Sequence, residues 1–202
     1  MRETTLAKRI RTFALALVLA VGMVVLVACG AQKGGAEAEI EEVLTSTLEE
    51  VRDPSDETIS TYLDTDTVDA LDAYGIDAKE FWACLFSNLD YEIGDIKVDG
   101  DAATAELTIE NTDLDAAFEV WEEDISSWIT SSEAQDLYAE EGENALMKYS
   151  FEQLMDTIEH GDIDIVSDDV TVSLEKVDGE WAISEDSYDD LVNALFAGSE
   201  LI

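Results

Sequence analysis

Few side chains in this sequence could carry thiol or imidazole chemistry. There are two thiols, Cys29 and Cys84, and one imidazole, His160. Cys84 lies among Phe81, Trp82, Leu85 and Phe86, the setting of a small core residue rather than of a nucleophile, which needs a cationic neighbour to lower its pKa. His160 precedes Gly161 at an expected helix C-terminus, where the helix dipole favours a cation. One histidine leaves most imidazole-based catalysis without a partner. The sequence has no Gly-rich phosphate loop, no serine nucleophile elbow and no paired-histidine zinc motif.

Carboxylates are abundant instead. Asp64-x-Asp66-x-x-Asp69, Asp162-x-Asp164, Asp168-Asp169, and Glu185-Asp186 with Asp189-Asp190 could each gather oxygen ligands for a divalent cation. None follows the twelve-residue calcium loop, and at such acidity clusters arise by chance, so the metal-binding residues stay unknown and no cofactor is expected. Cys29 is different. Arg2, Lys8, Arg9 and Arg11 precede sixteen residues, Phe13 to Ala28, without a charged or strongly polar side chain. A spanning helix needs about 20 apolar residues; a basic stretch, a shorter apolar run and a small residue make an export signal.

The run ends in Leu26-Val27-Ala28-Cys29, which resembles the lipobox of bacterial lipoproteins: aliphatic, small or β-branched, small, then cysteine. That resemblance implies a diacylglyceryl group on the Cys29 sulfur and cleavage between Ala28 and Cys29. Residues 1–28 then form the signal peptide, 29–36 a small, Gly-rich tether, and 37–202 a single domain. Two acyl chains anchor stably where one holds only marginally. The expected location is the extracytoplasmic face of the cell membrane, reached through the lipid on Cys29. With Cys29 acylated, Cys84 is the only thiol, so no disulfide forms within the mature chain.

Removing 28 of the 202 residues leaves 174, the size of one ordinary domain. Hydrophobic residues make up 47% of the chain, enough for a core. The charge is extreme, with 49 acidic against 10 basic residues, or −39 overall. Downstream of residue 28 it is 48 against 6, or −42. Nucleic-acid binding needs clustered Lys and Arg, so nucleic acid is excluded as a partner. Such a field attracts cations and relaxes with salt, so weak divalent-cation binding and a saline habitat both remain open.

Hydrophobic spacing sets out the elements that would position any site. Ile40, Val43, Leu44, Leu48 and Val51 predict a helix. Asp53-Pro54 reads as N-cap and first residue of the next, with Ile59, Tyr62 and Leu63 apolar. Val68, Leu71 and Tyr74 predict a short helix ended by Gly75. Asp77 to Glu80 outlines a capping box before Phe81, Trp82, Leu85, Phe86 and Leu89. The period then drops to two: Tyr91, Ile93, Ile96 and Val98 with a bulge at Gly94, a turn at Asp99-Gly100, and a return strand with Ala103, Ala105, Leu107 and Ile109 on one face. Leu114, Phe118, Trp121, Ile125 and Trp128 predict a helix capped within 111–115. Ser132 to Gln135, a second capping box, opens a long stretch to about His160, with Leu137, Leu146, Tyr149, Leu154 and Ile158 as core and Gly142 as its weak point. A second hairpin, Val170 to Leu174 and Trp181 to Ile183, turns at Asp178-Gly179. A last helix carries Tyr188, Leu191, Val192, Leu195 and Phe196 and ends at Gly198.

Adjacent antiparallel pairs make the class α+β, a curved antiparallel sheet of at least two hairpins packed against helices. The order of elements, the paired Val-Asp-Gly hairpins and the ending Ala194-Leu195-Phe196-Ala197-Gly198 resemble small bacterial lipoproteins with a nuclear-transport-factor-2-like, or cystatin-like, domain of unknown function. The resemblance covers about residues 37–198, and the helical insertion between the hairpins exceeds that fold's simplest plan. It implies a pocket between sheet and helices. Three readings follow: a non-enzymatic binding or accessory module for a small molecule or protein, an enzyme using a carboxylate or Tyr in a hydrophobic pocket, or a divalent-cation-dependent envelope protein.

Overall fold

The computed structural model describes residues 35–196. Four helices come first: α1 (Ala36–Arg52), α2 (Asp56–Tyr62), α3 (Thr65–Ala73) and α4 (Ala78–Leu85). The strands β1 (Asp90–Asp99) and β2 (Ala102–Thr112) follow, then α5 (Leu114–Trp128), α6 (Ser132–Glu141) and α7 (Glu143–His160). The chain closes with β3 (Ile165–Val177), β4 (Glu180–Ile183), a single 3-10 turn (Glu185–Ser187) and α8 (Tyr188–Leu195). All four strands form one antiparallel sheet in the order β1-β2-β3-β4. The helices α5 to α7 are thus inserted between two strands that pair directly. The α+β class and the helix-packed antiparallel sheet are as expected.

The alternation in β2 decides which face is covered. Ala103, Ala105, Leu107 and Ile109 are buried, while Glu106 between them and Glu110 after them are exposed. Across the pair, Val172 and Leu174 of β3 stand opposite Ala105 and Ala103 and are buried with them. The outer face is polar and solvated. Thr108 donates to Asp169 Oδ1 at 2.7 Å and Lys97 pairs with Glu106 at 3.1 Å across the strands. The register of β1 against β2 shifts between Ile93 and Ile96, which places the bulge at Gly94 as the spacing predicts. A side chain on Gly94 would press on the Glu106 carbonyl at 3.3 Å, so the bulge brings the two backbones close.

Several boundaries differ from the sequence reading. The second helix is capped by Ser55, whose Oγ accepts from Thr58 N at 3.1 Å, rather than by Asp53. Asp53 instead terminates α1, its N–H donating to Glu49 O. Pro54 therefore lies outside both helices, where its missing N–H costs nothing. The cap of α6 is Ser131, one residue before the expected capping box. The long stretch to His160 is two helices, because Gly142 adopts φ +87 and ends the first. This break resets the helical phase. Leu137, Leu146 and Tyr149 become half-buried, and Met147, Ser150 and Phe151 join Leu154 and Ile158 inside. The proposed end of the last helix at Gly198 lies outside the described residues.

Candidate functional site

Polar side chains converge at one corner, where the C-terminal end of α1 meets α2, α4 and the start of β1. The reason is local. Glu49 and Glu50 fall in the last turn of α1, directly before the Asp53-Pro54 break that sends the chain into α2. Thr58 Oγ1 donates a short hydrogen bond to Glu50 Oε1, and Ser55 N donates to the same oxygen at 3.2 Å. Ser55 Oγ and Thr58 Oγ1 lie 2.6 Å apart. These donors, the Thr58 hydroxyl foremost, hold the Glu50 carboxyl below its ordinary pKa against the opposing effect of burial. Glu49 bonds Arg52 Nη2 at 2.8 and 2.6 Å and accepts from the Tyr91 hydroxyl at 3.0 Å, tying helix to sheet.

An aromatic floor lies beneath. Tyr62 stacks on Trp82 with ring centroids 4.9 Å apart, Trp82 leans on Phe86 at 5.0 Å, and Phe86 meets Phe196 edge-on at 5.2 Å. Trp82 Nε1 donates to Val51 O at 2.7 Å, which satisfies a carbonyl at the end of α1. Burial pushes the Tyr62 hydroxyl up to about 12, helped by the nearby charge of Glu50. Burial also raises Tyr188. At neutral pH this corner therefore holds an ionised carboxylate and protonated tyrosines. Such a set donates and accepts hydrogen bonds.

The other residues singled out by sequence are dispersed. Cys84 is 1% exposed, its thiol donates to Met155 O at 3.5 Å, and burial pushes it up to about 12. It is a core residue, as expected. His160 is exposed at the end of α7, with Nδ1 3.3 Å from Asp156. Asp64 caps α3 by accepting from Thr67 N, Asp164 accepts from Asp113 N through its carbonyl, and Asp169 accepts from Thr108. Among the described residues, no three His, Cys, Asp or Glu side chains are grouped to hold a metal ion. Of the tryptophans, Trp121 donates to Ser150 O at 2.8 Å, and Trp128 stacks on Tyr149 at 3.9 Å. Among the described residues, the buried Trp128 Nε1, Trp181 Nε1 and Ser150 Oγ have no hydrogen-bond partner. Cys29 lies outside the described residues.

One node escaped the sequence reading. Asn111, 1% exposed, donates from Nδ2 to Leu85 O at 3.2 Å and to Leu195 O at 3.0 Å, and its Oδ1 accepts from Thr112 N at 2.9 Å. It joins the last turns of α4 and α8 to the end of β2. The available signal was an Asn on the apolar face of an alternating strand.

Comparison with known proteins adds little to this geometry. No family model matches the sequence, and no curated protein matches it significantly. A solved structure is similar. It is the YcdA protein of Bacillus subtilis, provisionally described as a lipoprotein, with 20% identity and a TM-score of 0.44 over 78% of this chain. The match spans 43% of that protein, so this chain corresponds to less than half of its length.

Proposed function

We propose that this chain is a lipid-anchored extracytoplasmic lipoprotein whose domain is a non-enzymatic binding or accessory module of the nuclear-transport-factor-2-like kind. The observation that carries the reading is the placement of Cys29. It follows a basic segment and sixteen apolar residues, with Leu26, Val27 and Ala28 immediately before it. The structure is compatible with that anchor. Helix α1 starts at Ala36, seven residues beyond the cysteine, and Ala36 already packs against the core. Among the described residues no helix is long and apolar enough to cross a membrane.

The non-enzymatic part rests on the titration states. A carboxylate acting as a general acid needs a raised pKa, whereas the shift at Glu50 is downward and has a structural donor as its cause. A catalytic tyrosine needs access to substrate, and Tyr62, the last residue of α2, is 5% exposed with its ring stacked on Trp82. The ligand is a small molecule or a protein held by packing and hydrogen bonds.

The test is membrane fractionation of the full chain and of Cys29→Ala in a lipoprotein-processing bacterium grown with radiolabelled palmitate. The unaltered chain is expected in the membrane fraction carrying label, and Cys29→Ala in neither. Equal membrane retention of both would overturn the reading.

A further inference from the structure

We propose that the end of the sheet carrying the β1–β2 and β3–β4 turns faces the lipid headgroup layer of the bilayer, with the helices α5 to α7 turned away from it. The inference rests on the anchored reading above. It starts from where the chain enters the domain. Tyr91 near the start of β1 bonds Glu49 near the end of α1, so the C-terminal end of α1 sits at the corner of the sheet remote from the turns. The same helix also packs against β4.

That second contact fixes its direction. Tyr91 pairs with Ile109, which pairs with Asp168, whereas Ile183 of β4 pairs with Leu174. From Asp168 to Leu174 is about 20 Å along the strand, and three strand spacings add about 14 Å across, so the diagonal is about 25 Å. A helix of 17 residues spans about 25 Å. Only the N-terminal end of α1 can therefore reach β4, and the chain enters the domain at the turn end of the sheet.

Both turns lie there together, since Lys176 N donates to Asp101 O at 2.9 Å. Six peptide steps separate Cys29 from Gly35, and however they are arranged they cannot exceed about 21 Å. A lipid on Cys29 thus brings the entry point, and the turns beside it, within that distance of the headgroups. The turns present Val98 and Val177, 38% and 45% exposed. They also hold Lys97 and Lys176, two of the five basic residues between positions 37 and 202, against Asp99, Asp101, Asp178 and Glu180. Arg52 and Lys79 make an equal pair at the opposite corner, where Lys79 Nζ lies 3.7 Å from Asp53, so the short tether rather than the charge sets which end faces the headgroups.

The helical insertion leaves from the opposite end. β2 ends at Thr112, where Asp113 N bonds Asp164 O and α5 begins. The packing partners of α5 to α7 are chiefly one another and α4, and Asn144 Nδ2 bonds Ala73 O at the end of α3. Helices folded back over the sheet would pack on α1 and α8 instead.

The experiment uses the full lipidated chain in phosphatidylethanolamine–phosphatidylglycerol vesicles with a rhodamine-labelled headgroup as energy acceptor. Donor dyes are attached at Asp101→Cys and Glu180→Cys beside the turns, and at Asp136→Cys and Glu140→Cys on α6. All four positions are exposed, and the buried Cys84 is shielded from the dye. Vesicle flotation reports the anchor separately. The expected result is flotation of all four proteins and transfer at least about twofold higher from the turn positions, because β2 alone separates the two ends by about 30 Å. Flotation with equal or higher transfer from α6 overturns the orientation and leaves the anchor standing. Failure to float, with the near-ultraviolet tryptophan signal intact, overturns the anchored reading and this inference with it.

Discussion

Replacing Asn111 by Ala removes three hydrogen bonds at a fully buried point. The Leu85 and Leu195 carbonyls lie in the last turns of α4 and α8, where no N–H within the helix reaches them, and both accept from Asn111 Nδ2. The Thr112 N–H loses its acceptor at Oδ1. A buried polar backbone group left unpaired costs about 1–3 kcal/mol. Three such groups, allowing for local relaxation, give an expected loss of about 3–5 kcal/mol, a large part of the ~5–15 kcal/mol of an ordinary domain. For a domain of this size each kcal/mol moves Tm by about 2–4 °C, so the melting point should fall by about 10 °C. Urea unfolding followed by circular dichroism measures the loss, and amide exchange should show the ends of α4 and α8 opening first. Asn111→Asp supplies a control, because a carboxylate beside two carbonyl oxygens is at least as costly at neutral pH and recovers a donor when protonated. A loss below about 1 kcal/mol in Asn111→Ala would refute the claim that this residue joins the helices to the sheet.

The Glu50 carboxyl is depressed by the Thr58 hydroxyl, so its contribution is present above the unfolded value near 4.3 and is lost as pH falls through the folded value. Thr58→Val should therefore flatten the decline of the urea midpoint below about pH 4. Tyr62 shifts the other way, from 10.0 to about 12, so stability should fall between those values as only the unfolded chain ionises. Tyr62→Phe should remove up to about 2–3 kcal/mol of that alkaline loss, read from urea midpoints across the window. Gly142→Ala meets open space but keeps φ +87, so the strain alone should cost about 1 kcal/mol in a thermal melt. Added sodium chloride should raise the melting point of a chain carrying −42 downstream of its signal, and a flat salt response would contradict self-repulsion as a destabilising force.

The sheet was legible because a half-buried strand has period two and a hairpin turn has its own chemistry. Ala103 to Ile109, the Gly94 bulge and both Asp-Gly turns are visible in the residues themselves. Helix phases were legible only as far as their caps. Ser55 and Ser131 won over Asp53 and Ser132 because capping depends on which oxygen reaches the third backbone N–H, a matter of one residue. Gly142 was identifiable as a weak point, but the phase change it introduces was not, so Phe151 and Met147 were missed as core. The polar corner was hidden because Glu49 and Glu50 look like any acidic pair on a helix of this composition. Only the fold brings Tyr91 and Thr58 to them. Asn111 was hidden because its partners are main-chain carbonyls 26 and 84 residues away.

The proposed lipid on the Cys29 sulfur is what ties this domain to a membrane. Intact-mass analysis of the native protein extracted from membranes decides it. The expected mass is that of the chain from Cys29 to Ile202 carrying a diacylglyceryl group, and a polypeptide that retains Met1, or starts at Cys29 with an unmodified thiol, would contradict it.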